Sequence, residues 1–168
     1  MKIICTDVAL RGTECKRPAT LGVISPAATA LKREVSLSKP SNLNVAAIAE
    51  RYARAWKSHD PDAILALHAP DSTFQAHGRS GEVRGHDALR KEFAQVFERY
   101  PGFGVETHRL LLGERHWTLD WTLTFQPPGQ NRRGFHALDV VEVDADGYVT
   151  RKDTFFDYAQ VKAAHEAA

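Results

Sequence analysis

One carboxylate interrupts a row of apolar side chains near the end of this sequence. Counted by twos along a predicted strand, the row consists of Phe135, Ala137, Asp139, Val141 and Val143, and residues at this spacing share one face of a strand. A carboxylate on a buried face loses its hydration, which favours the neutral form, so Asp139 is a candidate catalytic acid. The alternatives are that Asp139 pairs with an arginine or with backbone donors, or that this face meets solvent. The spacing alone leaves them open.

A tyrosine on a predicted helix is the second candidate. Asn44 suits a helix N-cap, and the residues after it recur on one side at helical spacing: Val45, Ile48, Tyr52 and Trp56. Tyr52 therefore faces inward. Together with Asp139 it would supply the polar groups of an otherwise apolar pocket, which is the usual form of a site for a small ligand.

Three helices and a set of strands must position these two side chains. Asp60 and Pro61 are typical of the start of a second, short helix, and the apolar stripe from Leu89 to Tyr100 indicates a third, which Pro101 and Gly102 end. Strands are predicted at Ser72–Ala76, briefly around Val83, and at Phe103–Leu112, His116–Phe125, Phe135–Val143 and Tyr148–Asp157, with Gly147 ending the last turn. Helices followed by long strands predict an α+β fold, in which a curved antiparallel sheet wraps around a long helix.

The three N-terminal helices and this sheet would form a cone-shaped pocket with aromatic walls. The strand at 116–125 alternates cleanly, with its large apolar residues on one face and its threonines on the other, which is typical of a strand with one buried face. We expect six aromatic residues to bind the substrate: Trp56, Phe74, Phe93, Trp117, Trp121 and Phe135.

Composition limits the class of protein and divides the chain in two. The 168 residues are 43% apolar with a formal charge of +1, which suits one folded domain and does not point to nucleic acid. Residues 1–41 carry seven Lys or Arg against three Asp or Glu, whereas residues 42–168 carry 15 against 18. We therefore predict a basic, disordered N-terminal extension at 1–41 and a folded domain at 42–168. Both cysteines lie in the extension, so no disulfide is expected in the domain.

The same features predict where the protein resides. No window approaches the ~18 consecutive apolar residues of a membrane helix, and the first residues are too soon charged for a secretory signal. We expect a cytoplasmic protein, with targeting to an organelle through residues 1–41 as the alternative. No membrane partner is expected.

The order of elements and several motifs resemble the nuclear transport factor 2-like superfamily, specifically its SnoaL-like and ketosteroid isomerase-like branch. The resemblance spans residues 44–161. It rests on Arg51-Tyr52 and its distance to Asp60, on the run Asp139-Val140-Val141-Glu142-Val143 with Gly147 eight residues after Asp139, and on the closing Phe155-Phe156-Asp157-Tyr158. It implies the cystatin-like fold of that superfamily and a SnoaL-like domain at 42–168.

The resemblance also implies roles for particular residues. In ketosteroid isomerases a tyrosine and a protonated aspartate form an oxyanion hole, and Tyr52 and Asp139 match them. The isomerase base would fall at Ala76, so it is missing, and the neighbouring His77 is the candidate to replace it, although strand alternation should point His77 away. SnoaL-like polyketide cyclases instead use one principal aspartate, matched by Asp139. Related epoxide hydrolases use an Asp-Arg-Asp set, which is incomplete around Asp120.

Two functions remain open from the sequence. The first is an acid/base isomerase, cyclase or dehydratase that acts on a small cyclic carbonyl compound, polyketide-like or steroid-like, without a cofactor. The alternative is a non-catalytic module of the same fold that binds a small ligand or dimerises. No His-x-His or His-x-x-x-His pair occurs, so no metal is expected. The expected partners are a small apolar molecule and a second copy of the chain in a homodimer.

Overall fold

The computed structural model describes residues 43–166, and the predictions for residues 1–41 lie outside this range. Four helices are present: α1 at Val45–Lys57, α2 at Pro61–Leu65, α3 at His86–Arg99 and α4 at Tyr158–Glu166. None of them is long and apolar enough to cross a membrane. The three predicted helices are confirmed, and α4 was not predicted.

A six-stranded sheet forms the second layer. Its strands are β1 at His68–Ala76, β2 at Val83–Arg84, β3 at Gly104–Leu112, β4 at His116–Phe125, β5 at Arg133–Val143 and β6 at Val149–Phe156. The spatial order is β2-β1-β6-β5-β4-β3. All neighbours are antiparallel except β1 and β6, which run parallel. The predicted α+β fold is confirmed, with one parallel pair inside the sheet.

Local sequence signals fix the ends of these elements. The Asn44 side chain accepts a hydrogen bond from the Ala47 N–H at 3.0 Å, and that of Asp60 accepts one from Asp62 at 2.9 Å, so the first two helices begin at side-chain caps. The turn between β5 and β6 places Gly147 at a φ of 87°, a conformation that glycine adopts without strain. The β5–β6 hairpin therefore forms as the sequence predicts.

The sheet curves around the apolar faces of α1 and α3. The inner face of α1 buries Ile48, Tyr52 and Trp56, and that of α3 buries Leu89 and Phe93. The facing strands contribute the buried side chains of Trp117, Trp121, Leu123, Phe125, Phe135, Ala137 and Val141. One continuous core results, and the open side of the curvature leaves a cavity.

Two elements differ from their predictions. β1 begins at His68, four residues earlier than predicted, and its pairing with β6 shifts in register between His68 and Thr73. Pro70 lies in that stretch and has no N–H for the ladder, which hides the strand from a pattern search. Helix α4 packs only Val161 and Ala164 inward, so its apolar stripe is too weak to stand out in the sequence.

Candidate active site

The cavity between α1 and the concave face of the sheet has a volume of about 290 Å³. Its walls come from α1, the end of α3, β1 and strands β3 to β6, and they are mostly apolar. Five of the six aromatic residues expected to bind a substrate line it: Trp56, Phe74, Trp117, Trp121 and Phe135. Its dimensions and lining are those of a small-ligand site.

Asp139 lies in the cavity wall, where the row of apolar residues on β5 places it. It is only 5% exposed. Its Oδ2 forms an ion pair with the Nζ of Lys152, and its Oδ1 accepts a hydrogen bond from the Thr154 hydroxyl at 2.7 Å. Lys152 and Thr154 both come from β6 and also line the cavity. The carboxylate is therefore held by two side chains of the adjacent strand.

The counter-ion of Asp139 is a lysine, a partner that the sequence alternatives of an arginine or backbone donors did not include. Lys152 is 4% exposed, and its ammonium lies 5.4 Å from the centre of the Trp56 ring, in a cation–π contact. Asp139 is therefore not a solitary acid in an apolar wall, since a buried lysine of the adjacent strand is its ion-pair partner.

Sequence reasoning missed Lys152, whose place beside Asp139 depends on an irregular strand register. β6 alternates so that Lys152, Thr154 and Phe156 share the inward face with the cavity. In the β5–β6 register Asp139 lies opposite Thr154, and Val141 lies opposite Lys152. Diagonal neighbours in a sheet are within reach of long side chains, but a register counted from the hairpin turn does not identify the pair, because the pairing shifts by one residue between Glu142 and Val143.

Tyr52 lines the same cavity but is hydrogen-bonded elsewhere. Its hydroxyl lies 3.0 Å from Nε2 of His68, and Nδ1 of His68 lies 3.1 Å from the Ser72 hydroxyl. Burial raises the pKa of Tyr52 far above its ordinary value, so the hydroxyl stays protonated. Burial, with the nearby ammonium of Lys152, lowers the pKa of His68 to about 3. A neutral imidazole thus joins the two hydroxyl groups.

Comparison with known proteins gives the family of this domain. A model of the SnoaL-like domain matches residues 49–152, from the first turns of α1 to Lys152. The chain belongs to the SnoaL-like family. Its fold is that of the nuclear transport factor 2-like superfamily, as the resemblance implied.

Solved structures share this SnoaL-like fold at low sequence identity. SalBIII, described as an epoxide hydrolase/cyclase-like enzyme in pyran ring formation in the polyether salinomycin, is 19% identical with a TM-score of 0.61, covering 69% of this chain and 92% of its own. A hypothetical protein with a ketosteroid isomerase-like fold from Catenulispora acidiphila, in complex with trimethylamine, is 17% identical with a TM-score of 0.62, covering 70% of this chain and 90% of its own. An epoxide hydrolase from M. tuberculosis is 24% identical with a TM-score of 0.59, covering 72% of this chain and 89% of its own. No curated protein matches the sequence.

This SnoaL-like domain lacks the second carboxylate of the isomerase arrangement. Ala76 is buried and lines the cavity, at the position where the resemblance places the isomerase base. The next residue, His77, does not line the cavity. Its Nε2 lies 2.7 Å from Oδ1 of Asp153, and its ring stacks on Phe155 at 4.1 Å. The structure therefore does not bring His77 to Asp139 and Tyr52.

Phe93, which was predicted to bind the substrate, and Asp120, which was compared with the epoxide hydrolase set, also lie outside the cavity wall of the SnoaL-like domain. Phe93 is fully buried behind it, with its ring 5.0 Å from that of Trp56 and 5.5 Å from that of Phe74. Asp120 accepts hydrogen bonds from Arg109 and His136, both at 2.7 Å, and none of these three residues lines the cavity. Phe93 thus supports the wall, and Asp120 is not placed for chemistry there.

No metal centre is apparent within residues 43–166, since no three His, Cys, Asp or Glu side chains are grouped to hold an ion. The buried side chains with polar groups that line the cavity include Asp139 with its partners Lys152 and Thr154, and Tyr52, which is bonded to His68. The first three carry the chemistry considered below. These side chains supply one base, one ammonium donor and one hydroxyl in an apolar enclosure.

Proposed function

We propose that this SnoaL-like protein is an acid/base catalyst for a small cyclic carbonyl compound. Asp139 removes a proton from the carbon beside the carbonyl group and returns it at another position. Lys152 binds the carbonyl oxygen and stabilises the negative charge that develops on it. Isomerisation, ring closure and dehydration all proceed through such an enol or enolate.

The buried pair of Asp139 and Lys152 is the observation that carries this proposal. Removing two charges from water costs several kcal/mol per ion, and a pair of apolar residues of similar volume is often as stable or more stable. The pair lies within an apolar cavity rather than in solid core. A carboxylate and an ammonium at that position are better explained by chemistry than by packing.

The hydrogen bonds of the cavity assign the two charged groups different tasks. The hydroxyl of Thr154 donates to Asp139, and that of Tyr52 is bonded to His68. The ammonium of Lys152 has three N–H groups, and Asp139 is its hydrogen-bond partner in the described part of the chain. Two N–H groups remain for a ligand. A carbonyl oxygen at Lys152 would place the adjacent carbon near Asp139, so oxygen binding and proton transfer occur side by side.

The size of the cavity supports a substrate of about two fused rings. An apolar cavity of roughly 150 Å³ accommodates one benzene ring, and this one measures about 290 Å³. Trp121 lines it with an indole N–H that is buried and has no hydrogen-bond partner among residues 43–166, an uncommon condition in proteins that favours a ligand with acceptor oxygens. The role of SalBIII in pyran ring formation supports ring closure as one outcome.

Deuterium exchange into 2-tetralone, a two-ring ketone, tests the proposal. We expect the wild-type protein to accelerate exchange of the hydrogens beside the carbonyl in D₂O, measured by NMR. Asp139→Asn should lower the rate by on the order of 10²–10⁴, as for loss of a general base. Asp146→Asn is the matched control, because Asp146 is exposed in the β5–β6 turn. Equal rates in folded wild type and Asp139→Asn would exclude the proposed role of Asp139.

Ala76 favours the second candidate, a module that binds a small ligand without reaction, because the isomerase arrangement needs a base where Ala76 lies. The same experiment separates the two. A protein whose NMR line-broadening shows that 2-tetralone binds, but which does not accelerate exchange, is a binding module.

A further inference from the structure

We propose that Lys152 forms a covalent imine with the carbonyl carbon of the substrate. This inference rests on the proposed function, since it specifies how the same cavity activates the carbonyl group. It extends that function from hydrogen bonding at the oxygen to bond formation at the carbon. The substrate class becomes aldehydes and unhindered ketones, which react with primary amines.

The position of Lys152 differs from that of every other lysine in residues 43–166. Lys57, Lys91 and Lys162 are exposed, although Lys57 also lines the cavity, whereas Lys152 is buried in the cavity wall. It lies on a strand paired on both sides, with β5 and with β1, so its backbone is fixed. An amine in an apolar enclosure is protected from competing water, and buried lysines of this kind serve as Schiff-base nucleophiles.

Asp139 is placed to move every proton that the reaction requires. The ammonium of Lys152 first gives a proton to the carboxylate of Asp139, its ion-pair partner. The free amine attacks the carbonyl carbon, and a C–N bond forms as the C=O π bond breaks. Asp139 returns this proton to the oxygen, takes a second proton from the nitrogen, and gives it to the same oxygen. The oxygen then leaves as water when the C=N bond forms and the C–O bond breaks. The balance is one ammonium and one carbonyl compound giving one iminium and one water.

The charges of the site suit the product of this reaction as well as the resting state. The iminium carries the positive charge that the ammonium carried before, so Asp139 retains its counter-ion. The face of Trp56, 5.4 Å from Nζ in the resting protein, stabilises either cation. The iminium also makes the adjacent C–H groups more acidic, and the carboxylate beside it is the base that removes the proton.

Reductive trapping with 2-tetralone tests this inference on the full-length protein. Sodium cyanoborohydride reduces an imine to a stable secondary amine, so the intact mass should rise by the mass of the ketone less one oxygen atom. Peptide mapping should locate the adduct on Lys152. Lys152→Arg keeps the positive charge but forms no such imine and should give no adduct. Lys162→Arg, which changes an exposed lysine of α4, should leave the adduct unchanged.

The outcomes separate this inference from the proposed function. Absence of the adduct on Lys152 at saturating ketone overturns the imine, and so does an adduct confined to exposed lysines. Mapping of the wild-type protein decides this even where Lys152→Arg does not fold. Accelerated deuterium exchange without an adduct retains the proposed function, with Lys152 acting only through hydrogen bonds. An adduct on Lys152 without exchange retains the imine and rejects proton transfer by Asp139.

Discussion

At the scale of single residues, His68 links the cavity to acid stability. Its pKa is about 3 in the folded protein and near 6.5 when unfolded. Between these pH values the unfolded chain binds a proton that the folded protein does not. The contribution of neutral His68 to the free energy of unfolding is therefore fully present above pH 6.5 and decreases as the pH falls. We expect a loss of about 2–3 kcal/mol between pH 6.5 and pH 4.5, measured by urea unfolding.

The control for this prediction is His68→Gln, which keeps a polar group beside Tyr52 but does not titrate. Its free energy of unfolding should vary much less over the same pH range, because it has no imidazole at this position to protonate on unfolding. If the free energy of unfolding fell equally with pH in the wild type and in His68→Gln, His68 would not be the group that causes the loss of stability in acid.

Single residues also show how far the sequence alone reaches. Asp139 could be found because its anomaly is local, a charge in a period-two row of apolar residues. Lys152 and His68 could not, because their meaning depends on partners from other elements. Lys152 gains its role from Asp139 across the β5–β6 register, and His68 from Tyr52 on α1. A linear pattern contains neither the register nor the packing angle that creates these contacts.

At the scale of elements, α4 is the helix that the sequence did not reveal and whose stability depends on few contacts. The side chain of Asp157 accepts a hydrogen bond from the Ala159 N–H at 2.8 Å, and Arg133 on β5 donates to the carbonyl of Ala164 at 3.1 Å. We expect Asp157→Ala to cost about 1 kcal/mol, as for loss of a helix cap. Faster amide hydrogen exchange at 158–166, measured by mass spectrometry, should accompany it.

The effect of Asp157→Ala should remain local. Exchange in α1, which begins at the separate cap of Asn44, should not change. Unaltered exchange throughout α4 would contradict the assigned cap.

Elements differ in how well they could be predicted. Helices α1 to α3 have strong apolar stripes or clear caps, and β4 alternates without interruption, so each could be located from sequence. The parallel pairing of β1 with β6 could not, because strands distant in sequence carry no hairpin signal for each other. Weak burial explains why α4 was missed, since only two of its nine residues are buried.

At the scale of the whole molecule, the outer face of the sheet is the surface that we expect to join two copies of the chain. This face of β4 and β5 presents Thr118, Thr122, Leu138 and Val140, all half-buried. The homodimer remains a prediction, and light scattering at high protein concentration should give twice the chain mass of 18.7 kDa. Val140→Arg should yield monomers by placing a charge in the interface, whereas a monomeric mass for the wild type would contradict the dimer.

The central claim is that the buried ion pair exists for proton transfer and not for stability. The double variant Asp139→Leu/Lys152→Met tests it most directly, because it replaces both charges by apolar side chains of similar length and leaves neither ion unpaired. Such replacements are often neutral or stabilising by about 1–4 kcal/mol. The measurement is the rate of deuterium exchange into 2-tetralone by the folded double variant. We predict a fall of on the order of 10²–10⁴ relative to wild type, and exchange at the wild-type rate would contradict the account.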